Sequence, residues 1–257
     1  MNPKIGTNVL KKGTPKILLL DIETAPNVVY AWSLFDQNIA IDQIVSHGYV
    51  LCISWKWLGG TTKYARIAGK EKTALNQIHK LLDEADFVVH YNGTKFDIPT
   101  LHREFVLNGL PPPSPVKEID LLKTVRKKFR FSSNKLDYVC QRLGLGNKVH
   151  HKGMGLWHEC MSNSKKAWSI MEKYNKQDVN LLEKLYGRLL PWIPNHPNVV
   201  SYSKVDGCPR CGSSSYQSRG VYRTATMTYN RYQCNSCKGW FKSATSIKED
   251  KPVYTGV

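Results

Sequence analysis

Four carboxylates stand where the neighbouring sequence dictates the direction of each side chain, and few folds accommodate the arrangement. Ile17-Leu18-Leu19-Leu20 is a short apolar run preceded by Gly13 and Pro15, the pattern of a strand buried in a mixed or parallel sheet. Asp21 and Glu23 sit at its end. Side chains alternate along a strand, so these two acids point to the same side, where their repulsion is costly unless a cation or a proton intervenes. A divalent metal ion resolves that conflict.

Two further clusters follow. Phe87-Val88-Val89-His90-Tyr91 is a β-branched and aromatic run that reads as a second strand and breaks at Asn92-Gly93. After the turn Gly93-Thr94-Lys95, the segment Phe96-Asp97-Ile98-Pro99 opens a helix continuing through Leu101, Phe105 and Val106, which places Asp97 near a positive helix end. From about Lys166 to Leu190, Ile170, Met171, Tyr174, Val179, Leu182, Leu185 and Leu189 recur at helical spacing. Tyr174 and Asp178, four residues apart, project from one face of that helix. Taken singly, an Asp-x-Glu reads as a solvated strand end, and a Tyr with an Asp one turn later as an ordinary amphipathic helix. Their combination points to a metal site.

These residues resemble the DEDDy 3′ to 5′ exonucleases of the ribonuclease H-like superfamily, most closely the exonuclease domains of B-family DNA polymerases and their stand-alone phage or bacterial relatives. Asp21-Ile22-Glu23-Thr24 resembles the first motif, Tyr91-Asn92 with Phe96-Asp97-Ile98-Pro99 the second, and Tyr174 with Asp178 the third. The resemblance covers about the first 190 residues. It implies an α/β fold, a ribonuclease H-like mixed sheet flanked by helices. It also implies hydrolysis of phosphodiesters by two Mg2+ or Mn2+ ions about 3.5 to 4 Å apart. Asp21 would bridge both ions, Glu23 and Asp178 would complete the site that generates hydroxide, and Asp97 would hold the second ion. Tyr174 would orient the attacking water, with Asn92, Phe96 and Thr24 contacting substrate. For Asn92 a turn role in a left-handed backbone stands beside that one. Four acids against two divalent ions should be ionised only when metal is bound.

Cys208-Pro209-Arg210-Cys211 and Cys234-Asn235-Ser236-Cys237 form two CxxC pairs with twenty-two residues between them, slightly beyond the usual zinc interval. Segments 215–223 and 226–233 alternate as a hairpin would. Four thiolates close a tetrahedral shell, so one structural Zn2+ is expected, replacing the core that a short polar segment cannot build. Two disulfides are the other reading of the same cysteines. The segment resembles the zinc ribbons attached to many nucleic-acid enzymes.

The 257 residues carry a net charge of +17, which argues for a polyanionic partner. Nucleic acid is expected, DNA ahead of RNA, with a replication or repair protein as a further partner. No membrane segment or signal peptide stands out, so a cytoplasmic location in a bacterial or phage-infected cell is expected. Lys123, Arg126, Lys127, Lys128, Arg130 and Lys135 form the densest basic run. On the ribbon, Tyr222, Tyr229, Tyr232, Trp240 and Phe241 lie among arginines and lysines, where they either stack on bases or fill the small core. The expected organisation is a nuclease domain over 1–190, a Pro-rich extended linker over 191–204 and a ribbon over 205–257.

Other features read as structural. Trp32, Trp55 and Trp57 are expected to pack in the core and sheet, and Asp120 to cap a helix. His150, His151, His158 and Cys160 are expected in a loop without ligand spacing. Two alternatives to the exonuclease remain: a ribonuclease or structure-specific endonuclease using the same acids, and a ribbon-type nucleic-acid binding factor with a vestigial core.

Overall fold

The computed structural model describes residues 13–69, 71–203 and 206–247. The first twelve residues, Val205 and the last ten residues of the expected ribbon lie outside the described residues.

The apolar run is strand β1 (Ile17–Thr24), followed by a two-stranded ribbon of β2 (Val28–Val29) and β3 (Ile44–Ser46). Then come β4 (Val50–Trp57), β5 (Lys63–Arg66), α1 (Glu71–Glu84), β6 (Phe87–His90), α2 (Asp97–Leu107) and β7 (Lys117–Asp120). Helices α3 (Leu121–Lys128), α4 (Leu136–Arg142), α5 (Met154–Met161) and α6 (Lys165–Leu189) complete the core. The main sheet has the order β5-β4-β1-β6-β7. Strand β4 runs antiparallel to its neighbours β5 and β1, and β1, β6 and β7 run parallel. This mixed sheet flanked by helices is ribonuclease H-like.

Alternation along β1 divides the interior. Leu18, Leu20 and Ile22 pack with Trp55 and Val88 against α1 and α2, through Leu75, Ile78, Leu82, Leu101 and Phe105. Ile17 and Leu19 pack with Phe87 and Val89 against α3, α4 and α6, through Val125, Val139, Val179, Leu182 and Leu185. Each such side chain contributes about 1.5–3 kcal/mol when fully buried, so the phase of β1 is strongly fixed. Asp21 and Glu23 share the phase of Ile17 and Leu19 and therefore turn toward α6.

Asp120 caps α3 as its position suggests, its Oδ1 accepting the Leu122 N–H at 3.0 Å. Trp55 is buried in β4 and Trp57 is half-buried. Trp32 departs from the expectation: it is 96% exposed. It lies between β2 and β3, in a segment that leaves the sheet, so no core lies beneath it. His158 and Cys160 lie on α5 rather than in a loop, because Leu156 and Cys160 on one face of a short helix bury against Trp168 and Met171. None of those histidines joins a metal-type cluster among the described residues.

The segment after α6 does not run extended. Leu190–Trp192 and Val199–Tyr202 form 3-10 turns, with Ile193 and Val199 buried in the α6 core. Beyond it, β8 (Tyr216–Arg223), β9 (Thr228–Cys234) and β10 (Trp240–Lys242) make an antiparallel sheet in the order β10-β9-β8. Tyr216, Tyr232 and Phe241 pack ring against ring at 5.3–5.4 Å and supply its small core. Tyr222 and Trp240 stay about half exposed, with the Arg231 guanidinium 5.2 Å from the Trp240 ring. No helix among the described residues is long and apolar enough to cross a membrane.

Candidate active site

Strand β6 accompanies β1 only from Ile17–Phe87 to Leu19–Val89 and then stops at His90. The Ile22 N–H lies past that register and donates to Asp97 Oδ1 at 3.1 Å. A carboxylate thus replaces a ladder carbonyl, which fixes Asp97 at the start of α2 beside the acids of β1. The intervening turn needs special backbone. Asn92 has φ of 69°, donates its N–H to Asp120 Oδ1 at 2.9 Å, and accepts from the Lys95 N–H at 3.0 Å. A Cβ on Gly93 would lie 2.3 Å from His90 Cγ, so no other residue fits there. The buried His90 accepts the Gly93 N–H at Nδ1, leaving Nε2 to donate to Glu118 Oε2 at 3.0 Å.

Helix α6 brings the third cluster. Oxygens of Asp21, Glu23 and Asp178 all lie within 4.8 Å of one another. Asp97 stands outside that trio, close enough to raise the proton affinity of Asp21. The buried Asn175, next to Tyr174, donates to Asp21 Oδ2 at 2.7 Å and to the Asp21 carbonyl at 3.2 Å. From the loop after α4, Lys148 donates its Nζ to Asp178 Oδ2 at 2.5 Å and to the Tyr174 hydroxyl at 3.1 Å. Neither Asn175 nor Lys148 stood out in the sequence. Asn175 could have been found from its place beside Tyr174 on the buried face of α6, whereas Lys148, one lysine of a loop, carries no local signal.

Crowded acids in a buried place hold their protons. Burial, then Asp178, Glu23 and Asp97, push the Asp21 carboxyl well above its ordinary range. Burial and then Asp178 push Glu23 up to about 8. Burial pushes Asp97 up to about 6 against the opposing pull of His90. Asp178 is also raised by burial, with Lys148 opposing. One ammonium does not balance four carboxylates, and Asp178 Oδ1 is buried without a hydrogen-bond partner. Hard oxygen donors with negative charge to spare fit magnesium or manganese.

A pH effect follows. Glu23 and Asp97 keep their protons in the folded chain above the pH at which the unfolded chain releases them, so the metal-free protein loses stability as pH climbs toward about 8. Magnesium held by these acids would compete with those protons. The rise in Tm on adding magnesium is expected to be larger at pH 8 than at pH 6, measured by thermal unfolding with and without EDTA. Equal rises would show that these acids do not take the ion.

Asp21 opens on a cleft of about 630 Å³ lined also by Tyr91, Asn92, Arg126, Lys135 and Lys148, among others. Two residues of the basic run, Arg126 and Lys135, therefore share one cavity with Asp21. Asn92 lines the same cleft and, with its positive φ, serves the turn. Phe96 is 43% exposed at the start of α2, and Thr24 is half-buried at the end of β1.

At one end of the C-terminal segment's strand β9, Cys208, Cys211, Cys234 and Cys237 place their sulfurs within 4.8 Å of one another. The Cys208–Cys237 and Cys211–Cys234 separations are 3.7 and 3.6 Å. That is far beyond a disulfide bond of about 2.05 Å, and near the roughly 3.8 Å between ligands of a tetrahedral ion with 2.3 Å metal–sulfur bonds. All four are free thiols, and the set fits zinc.

No curated protein sequence matches the chain. Among solved structures, it is similar to the family B DNA polymerase from the hyperthermophilic archaeon Pyrobaculum calidifontis, with 18% identity and a TM-score of 0.53. That match covers 69% of this chain but only 25% of the polymerase, and it speaks for the fold alone. The RNase_H superfamily model matches residues 18–190. That stretch is most of the chain and holds all four acids, so this protein belongs to the RNase_H superfamily.

Proposed function

We infer that this protein is a nuclease that removes nucleotides from the 3′ end of a nucleic-acid strand, single-stranded DNA being preferred. The observation that carries the reading is the convergence of Asp21, Glu23 and Asp178 oxygens within 4.8 Å, with Asp97 buried nearby and Asp21 lining a cleft that also holds Arg126 and Lys135. Asp21, Glu23 and Asp178 are the residues that would hold magnesium or manganese, with Asp97 assisting. Bound there, the ions would supply an activated hydroxide and neutralise charge on the attacking and leaving oxygens.

The rest is work for the chain's own groups. Asn175 holds Asp21 Oδ2 and so fixes the orientation of that carboxylate. Tyr174, kept protonated by burial, presents its hydroxyl beside Asp178 and can orient a water molecule. Lys148 provides positive charge at the same place, near an incoming phosphate. Arg126 and Lys135 offer charge-assisted hydrogen bonds to the strand's phosphates. The four cysteines would hold zinc as a structural ion, since four thiolates leave no open position.

The test is degradation of 5′-labelled and 3′-labelled single-stranded DNA and RNA in magnesium, manganese or EDTA. A 5′-labelled ladder shortening from the 3′ end, abolished by EDTA, is expected. Internal cuts would replace the exonuclease with an endonuclease, and an inert protein that still binds both strands would leave only a binding factor.

A further inference from the structure

Between β1 and β4 the chain leaves the sheet as an arm, residues 25–49, and exposes apolar side chains that a lone soluble domain would cover. Tyr30 is 76% exposed, Trp32 96%, Leu34 92%, Phe35 79% and Ile41 83%. The arm's backbone is pinned to itself. The Tyr30 N–H donates to the Gln43 carbonyl at 2.9 Å, the Gln43 side chain returns a hydrogen bond to the Tyr30 carbonyl at 2.9 Å, and the Gly48 N–H donates to Asn27 Oδ1 at 2.6 Å. At its root the Ala25 N–H donates to the Tyr49 carbonyl at 2.8 Å. The apolar groups therefore stand on an ordered strap. Aromatic side chains bury about 150–250 Å² each, so these five residues offer on the order of 800 Å², close to one side of a standard protein interface.

Charge narrows the occupant. The chain is net +17, yet no Lys or Arg occurs from Ile17 through Trp55, and the arm carries only Asp36 and Asp42. An acidic, apolar surface repels a phosphate backbone and suits a cationic protein face with apolar ground between its charges. The rest of this chain is cationic, with all 37 Lys and Arg against 18 of the 20 Asp and Glu, and it exposes Val106, Leu107 and Trp192. We propose that the arm is a homodimerisation element: residues 25–49 of one copy dock on the basic body of a second copy, and the exchange is reciprocated.

Sedimentation velocity on the full chain over a wide concentration range tests this. A concentration-dependent dimer is expected, weakened by salt. Trp32→Ser with Leu34→Ser should be monomeric throughout, with the Tm that the wild type shows when dilute enough to be monomeric, because neither side chain is buried within a protomer. Asp42→Lys, which removes no apolar surface, should weaken the dimer as well. A wild type that stays monomeric at every concentration, or variants that dimerise as well as it does, would overturn the proposal. So would a monomeric wild type whose arm variants lose affinity for single-stranded oligonucleotides in calcium, since the surface would then serve unpaired bases. None of these outcomes depends on the nuclease reading, which the labelled ladder tests separately.

Discussion

Asp21→Asn is expected to abolish hydrolysis while leaving the metal-free protein at least as stable as the wild type. The carboxylate lies within 4.8 Å of two others, and burial together with its neighbours makes its charge unfavourable in the folded chain. Neutralising it relieves that strain, and an amide of the same shape still fits against the Asn175 side chain. Activity moves the other way. Losing about 4 kcal/mol of transition-state stabilisation, a moderate figure for a metal ligand, slows turnover roughly a thousandfold. Asp178→Asn should be equally inactive but less stable, because Lys148 would keep its partly buried ammonium and lose its carboxylate partner at 2.5 Å. The pair is read by single-turnover kinetics in magnesium and thermal unfolding in EDTA. A stable, active Asp21→Asn would remove this acid from the chemistry. Equal destabilisation by both substitutions would mean that the acids hold the fold rather than a metal.

What the sequence disclosed, and what it hid, follows from the range of the interactions. Asp21 and Glu23 could be placed because alternation along a strand is local, and Tyr174 with Asp178 because a helical turn is local. Asp97 was legible through the strand, turn and helix signals around Asn92-Gly93. Lys148 was not, because what selects it is the arrival of its loop at α6, thirty residues away along the chain. Trp32 misled for a related reason: a tryptophan is ordinarily evidence of burial, and only the departure of residues 25–49 from the sheet shows otherwise. The prolines after α6 read as an extended connector. The buried Ile193 and Val199 give those residues a packed surface instead, and contacts between distant segments leave no periodic trace.

That packed surface sets the second large effect: Cys208→Ser, or stripping the thiolate-bound metal with a strong chelator, is expected to lower the Tm of the whole chain rather than melt the ribbon alone. Cys208, Cys234 and Cys237 are buried in the same core as Leu182, Leu185 and Leu189 of α6. Arg210, inside the first CxxC pair, donates to the Leu190 and Ile193 carbonyls, where α6 ends and its last carbonyls need partners. The Pro209 carbonyl accepts the Val199 N–H at 2.8 Å, and His196 stacks on Tyr186 of α6, its Nε2 2.9 Å from the hydroxyl. A four-cysteine knuckle without its ion does not hold this geometry, because metal binding is what folds such sites. If about 3 kcal/mol of this packing is lost, the Tm falls by roughly 6–12 °C in a chain of this size. Tyr174 and Asp178 sit on the same helix, so metal loss at the cysteines should also weaken magnesium stabilisation at the acids. Calorimetry with metal content measured in parallel decides it. One transition moving down with loss of the ion is expected; a ribbon that melts separately, with the main transition and the magnesium response unchanged, would show that the two parts are merely adjacent.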